Sequence, residues 1–270
     1  MKLTAHQQKV SNSKKRFVSV CAGRRAGKTF LAINELAKFA RFPKQRVAYM
    51  APTYKQAKQV VFQDLLDQLY AKNWIEKVNQ SELSIKLVNG STIFLLSLDN
   101  YETIRGRKFN FVVIDEAATV DPQAWYTVVR PCLSDRKGFA IFIGTPMGRN
   151  WFFDLHENAK HNKDWFTAIF KASETNIIAK EELDAAKQTM SPESYAQEFE
   201  CSFQAGISGS YYGKTIEELE EKGNVKNFDI DDNLEVETWW DLGMNDSTVI
   251  TFAQRHNDEI RIIDCYENAG

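Results

Sequence analysis

Arg16–Thr29 reads RFVSVCAGRRAGKT, an apolar run followed by a small-residue turn that ends in lysine and threonine. The run Arg16–Cys21 predicts a short buried strand. The residues from Lys28 to about Phe42 predict a helix, which Pro43 stops because proline has no backbone N–H and clashes with the preceding turn. Between them, Ala22–Thr29 (AGRRAGKT) matches the phosphate-loop pattern GxxxxGK[ST] at every position except the first. Ala22 stands there, and glycine follows at Gly23. Small residues let backbone N–H groups wrap phosphate oxygens, and the helix that follows directs its positive end at them. Ala22, Gly23, Arg24, Arg25, Ala26, Gly27, Lys28 and Thr29 are therefore the candidate cradle for the phosphates of ATP. Lys28 would supply a point charge between the β- and γ-phosphates, and the Thr29 hydroxyl would ligate Mg²⁺.

Further along, Phe109–Ile114 is apolar at nearly every position and ends in Asp115-Glu116, which places two carboxylates at the end of a buried strand. Asp115 is the candidate Mg²⁺ acid and Glu116 the candidate base that polarises the attacking water. Without the phosphate loop, two acids that cap backbone donors would be the simpler reading. Gly138–Ile143 predicts a neighbouring strand, followed by Gly144-Thr145-Pro146. Thr145 is placed to sense the γ-phosphate, although Thr-Pro also simply ends strands. Arg24 and Arg25 inside the loop, and Arg105 and Arg107 ahead of the acidic strand, are candidate cations for the charge that develops in phosphoryl transfer. The first two would act in cis; the second two would act in cis or on a neighbouring subunit, or would simply contact DNA phosphates. Gln7 and Gln8 are weaker candidates for holding adenine through an amide.

Arg46–Met50 predicts another strand, Tyr54–Tyr70 an amphipathic helix, and Asn89-Gly90 a hairpin turn between Leu83–Val88 and Ser91–Leu96. Helical stretches are expected near 179–189 and 192–203, then a Gly/Ser-rich joint at Ala205–Gly213 and an exposed acidic linker over 217–232. Leu234–Trp240, Thr248–Gln254 and Glu259–Tyr266 predict successive strands of a second unit, with Trp239-Trp240 packing its core. Alternating strands and helices over the first two hundred residues imply an α/β fold with a mainly parallel sheet flanked by helices.

The 270 residues hold 34 Lys/Arg against 36 Asp/Glu, but the charge is unevenly spread. Residues 1–58 carry 14 Lys/Arg and a single acid, Glu35, whereas residues 181–270 carry 21 acids and 6 Lys/Arg. A basic head suits phosphates, whether of a nucleotide or of a nucleic acid. No apolar run reaches the length of a membrane span. The four scattered cysteines argue against zinc or a disulfide framework, and a reducing compartment is expected. His156 and His161 lack metal-site companions and read as surface residues; Asp246 and Asp264 read as turn caps.

AGRRAGKT, the hairpin, IRGRKFNFVVIDEAA and IGTP, in that order, resemble the large terminase subunit of tailed double-stranded DNA bacteriophages. The resemblance implies a P-loop NTPase domain of the ASCE/RecA-like kind over 1–205, with a small helical lid at about 150–205 and a linker over 206–233. The beginning of a ribonuclease-H-like nuclease domain would occupy 234–270. It implies Thr145 as a coupling residue, Arg105 as an arginine acting in trans, Arg24 or Arg25 as the loop arginine of other members, and Asp241 as the nuclease's first metal ligand. The later nuclease ligands would lie beyond residue 270, so the chain would split ATP without cutting DNA. Implied partners are double-stranded DNA, the portal protein, the small terminase subunit and further copies in a ring on the procapsid, with the isolated chain a monomer. The setting would be the cytoplasm of an infected bacterium. The alternative is a DEAD/DEAH-like helicase, since DEAA resembles that box; a further alternative is an ATP-binding switch with little turnover, against which Glu116 speaks.

Overall fold

The computed structural model describes residues 3–204, 212–227, 229–242 and 247–268. The chain divides into two compact units, Met1–Tyr211 and Tyr212–Gly270.

Unit 1 is built on an eight-stranded sheet whose middle is parallel. The strands are β1 (Phe17–Ala22), β2 (Arg46–Ala51), β3 (Ile75–Asn79), β4 (Ser84–Leu87), β5 (Thr92–Ser97), β6 (Phe111–Ile114), β7 (Phe139–Gly144) and β8 (Trp165–Phe170). They lie in the order β3-β4-β5-β2-β6-β7-β1-β8. From β5 to β8 all neighbours are parallel, and β3-β4-β5 form an antiparallel edge. Every residue of β1 and β6 is buried, as expected for parallel strands covered on both faces.

The helices are α1 (Ala5–Ser11), α2 (Lys28–Ala40), α3 (Tyr54–Ala57), α4 (Gln63–Tyr70), α5 (Arg130–Cys132), α6 (Trp151–Lys160), α7 (Ala172–Thr175), α8 (Lys180–Thr189) and α9 (Pro192–Glu198). π-helical segments run at Lys58–Phe62 and Ala124–Val129. Two apolar cores result, one per sheet face. Val18, Val20, Leu31, Leu36, Val113 and Ile143 belong to one. Phe17, Met50, Val112, Ile114, Phe142 and Phe152 belong to the other. The alternation along β1, β6 and β7 sends successive side chains to opposite cores.

Several sequence expectations change. The N-terminal stretch forms α1, whose Thr4 caps it in a capping box with Gln7. Ile75–Asn79 is a strand, because it pairs antiparallel with β4 and shelters beside the hairpin. Residues 151–170, assigned to a lid, supply α6 and the eighth strand of the main sheet. β8 registers against β1 from Phe17↔Trp165 to Ala22↔Phe170, and only the short helices α7–α9 stand beyond it.

Unit 2 contains α10 (Gly213–Glu221) and an antiparallel sheet of β9 (Val236–Asp241), β10 (Thr248–His256) and β11 (Glu259–Asn268) in the order β11-β10-β9. The acidic run is thus partly helical: 213–221 has Ile216 and Leu219 at helical spacing. Trp239 and Trp240 are exposed by 40% and 62%, so neither packs a core here. The joint at 205–211 and Asp246 lie outside the described residues. Asp264 accepts a hydrogen bond from the Cys265 N–H at 2.8 Å. No helix among the described residues is long and apolar enough to cross a membrane.

Candidate functional site

The parallel strands β1, β6 and β7 deliver their carboxyl ends to one edge of the sheet, and the candidate residues meet there. After β1 the chain turns through Gly23 and enters α2 at Gly27, whose φ of 84° is left-handed. No side chain caps α2, so the N–H groups of its first turn are left to an external acceptor. A Cβ at Gly27 would come within 2.5 Å of the Gln7 amide nitrogen. Lys28 Nζ donates to Thr145 Oγ1 and reaches the Ala22 carbonyl at 3.4 Å. It lies 3.8 Å from Glu116 Oε1. Thr145 Oγ1 in turn donates to the Ala22 carbonyl at 3.2 Å. Three strand ends are therefore joined through one lysine and one hydroxyl, and a cleft of about 650 Å³ opens beside Arg25, Gly27, Lys28 and Thr29.

Asp115 is 5% exposed. Its carboxylate accepts from the Tyr49 hydroxyl and, at 2.9 Å, from the Glu116 N–H. Burial pushes its pKa up, while Tyr49, the Glu116 amide and Lys28 pull it down. Glu116 is a non-glycine residue at φ 48°, a left-handed conformation of the kind that recurs at functional sites. Burial again raises its pKa first, with Lys28 opposing.

Gly23 and Arg24 are seated on the end of β8 and the end of α9. The Gly23 N–H donates to Phe170 O at 3.0 Å and the Arg24 N–H to Glu198 O at 2.6 Å. A Cβ on Gly23 would lie 2.6 Å from Phe199 O. The Arg24 guanidinium pairs with Glu198, Nε to Oε2 at 2.6 Å, so it is occupied within the chain. Arg25 sits at φ 55° on the wall of the cleft. Gln7 is buried; its amide donates to Gly27 O at 3.0 Å and its carbonyl accepts from Thr4 N. In this geometry it braces the loop. Gln8 donates to Leu3 O at the surface.

Arg105 and Arg107 stand elsewhere. They precede β6, whereas Asp115 follows it, and a four-residue strand spans about 13 Å. Both lie at the amino edge of the sheet, and Arg105 is paired with Glu102 at 2.7 Å. The cis reading of these two arginines is not supported by that placement. Asp241 ends β9 and is exposed; among the described residues no three His, Cys, Asp or Glu side chains gather to hold a metal.

One buried pair escaped the sequence reading. His156 is 1% exposed, and its Nδ1 meets Ser19 Oγ at 2.9 Å in the middle of β1. The surface reading of His156 is therefore corrected, whereas His161 is exposed. Only the i, i+4 spacing of Phe152 and His156 on α6 hinted at this.

A family model described as the N-terminal part of the terminase large subunit, T4likevirus-type, matches residues 20–218. The chain belongs to this family. The terminase large subunit of Escherichia phage T5 is 27% identical over 252 residues, which cover 90% of the chain and 57% of that protein. The chain thus spans little more than half the length of this relative. The large terminase ATPase domain of Thermus Phage P74-26 superposes with a TM-score of 0.66 at 22% identity, covering 75% of the chain and 94% of the domain. A large terminase from a thermophilic bacteriophage, in complex with ADP, gives 0.66 at 14% identity over 99% and 69%. At these identities the two structures establish the terminase ATPase fold for this chain.

Proposed function

We propose that this chain binds and hydrolyses ATP as the motor part of a terminase large subunit, and that the complete protein uses the hydrolysis to move double-stranded DNA into procapsids. The observation that carries it is the Lys28 ammonium held between Thr145, the Ala22 carbonyl and Glu116 at the uncapped start of α2. That arrangement offers a triphosphate a cation, a set of N–H donors and a carboxylate on one edge of the sheet.

The residues fit Mg²⁺. A carboxylate as buried as Asp115 is disfavoured as an anion, and a dication beside it removes the cost. Asp115 and the Thr29 hydroxyl would hold the ion, which would supply neutralisation of the phosphate charge. Glu116, exposed at 43% of its side chain, orients the attacking water. Lys28 positions the phosphates, and Thr145 answers to whether Lys28 is engaged with them. Nucleotide binding by the ADP-bound thermophilic-phage terminase supports the same ligand here.

For the complete protein we infer a portal protein, a small terminase subunit and further copies in a ring as partners, and Asp241 as one ligand of a divalent-metal nuclease centre. Neither the matched family nor the antiparallel second unit favours a DEAD/DEAH-like helicase. The test is phosphate release by the purified chain with ATP and Mg²⁺. Retention of nucleotide with magnesium-dependent release is expected; a chain that neither holds nor splits ATP refutes the motor reading.

A further inference from the structure

A second concentration of positive charge lies on the amino edge of the sheet. Arg46 begins β2, Arg107 lies just ahead of β6, and Arg136 lies just ahead of β7. β6 stands between β2 and β7, so three residues distant in sequence converge. With Arg105 and Lys108 they line an open cleft of about 490 Å³.

The five cations are not equivalent. Arg105 pairs with Glu102 and Lys108 with Asp135. Among the described residues no carboxylate pairs with Arg46, Arg107 or Arg136. Neutral groups fix them instead. The Arg46 guanidinium lies 4.9 Å from the centre of the Phe94 ring, and its Nε donates to Lys108 O at 3.2 Å. Arg107 lies 5.8 Å from the same ring. Arg136 Nη1 donates to Asn110 Oδ1 at 2.9 Å. Each guanidinium has five N–H groups, so most of the donors remain for an external acceptor. Burial, and then the charges of Arg136 and Arg107, depress the pKa of Arg46 below the ordinary guanidinium value. Like charges have been gathered and oriented with none of these three guanidiniums in a direct ion pair among the described residues, although Asp135, which pairs with Lys108, also feels the charge of Arg136.

We propose that Arg46, Arg107 and Arg136 form a phosphate-binding site for the backbone of duplex DNA, on the opposite edge of the sheet from the nucleotide. Guanidinium forks match phosphate oxygens in pairs, and an open cleft admits a backbone that continues past it. Contacts of this kind fix position without reading sequence. The assignment rests on the DNA-moving function proposed above. The other source of the same chemistry is the triphosphate held by a second copy of the chain.

Duplex binding is measured by fluorescence anisotropy from about 50 to 200 mM salt, a range over which phosphate contacts show a steep dependence. The proteins compared are the unaltered chain, the double variant Arg107→Gln/Arg136→Gln and its control Arg107→Lys/Arg136→Lys. Arg46→Gln is tested separately because Arg46 packs on Phe94, and thermal melting verifies that each variant folds. The glutamine pair should bind several-fold more weakly on every sequence, with a log–log salt slope shallower by about two, while the lysine pair keeps most of the slope. Equal affinity and slope for the unaltered chain and the glutamine pair overturn the site and leave the motor reading standing. Unchanged DNA binding, together with loss of a concentration-dependent rise in ATP turnover per chain, assigns the phosphate to a neighbour's nucleotide and overturns the DNA assignment. An unaltered chain with no affinity for duplex overturns the DNA assignment, while the ATP-hydrolysis reading is judged separately by phosphate release.

Discussion

Glu116 and Lys28 face each other across 3.8 Å, and the two should fail differently when replaced. Glu116→Ala should leave ATP bound while turnover falls by roughly 10² to 10⁴, the usual contribution of a positioned base. A filter-binding assay run beside phosphate release separates these effects, and undiminished release would remove Glu116 from the reaction. His156 behaves in another way. Burial holds its pKa down to about 4 from 6.5, so the unfolded chain takes up a proton before the folded one does. Stability is therefore complete above about 6.5 and falls as the pH drops towards 4, by up to roughly 3 kcal/mol. His156→Gln should flatten that part of the stability–pH curve, as read by urea unfolding at several pH values; an equally steep fall would assign it to other groups. Lys28, Asp115 and Glu116 were legible in sequence because local pattern announces them: small residues before a helix, acids after an apolar strand. His156 was not, because Ser19 and Phe203, which help to bury it, come from distant segments. The engagement of Arg24 with Glu198 was hidden for the same reason.

The turn between β1 and α2 works because Gly27 takes a conformation that side chains resist, with the Gln7 amide closed over it. Gly27→Ala should cost about 1–3 kcal/mol from the strained backbone alone and weaken nucleotide binding. Gln7→Ala on the same background should restore only the part due to the clash, since φ stays at 84°. A double-mutant cycle on melting temperature and ATP affinity checks this, and strict additivity would show that Gln7 does not brace the loop. Period and punctuation in the sequence located most parallel strands, α2 and the hairpin. They failed where partners decide. Ile75–Asn79 has a mixed, half-exposed pattern that only pairing with β4 makes a strand. The membership of β8 in the main sheet, with α6 leading into it, depends on register with β1, which no local signal records.

The two units should differ in the lifetime of their hydrogen bonds. In unit 2 only Ala253 and Gln254 are buried among the described residues, whereas β1 and β6 are buried throughout. Amide deuterium exchange should therefore be slowest in β1, β6 and β7 and distinctly faster in β9–β11; equal protection would contradict that ordering. The placement of Arg105 at the amino edge makes a second test possible. If it serves the nucleotide of another copy, mixing Arg105→Ala with Glu116→Ala chains should restore part of the turnover that neither shows alone. No recovery at any ratio counts against service in trans. A change in character after the acidic run was legible in the sequence, but the exposure of the tryptophans was not. Gly23 has a consequence for anyone building hybrids. Its bare α-carbon is a seat cut to the Phe199 carbonyl, so the loop and the segment 176 positions later form one fitted part. A phosphate loop transplanted from a relative with a bulkier residue there will not settle unless residues 192–204 travel with it.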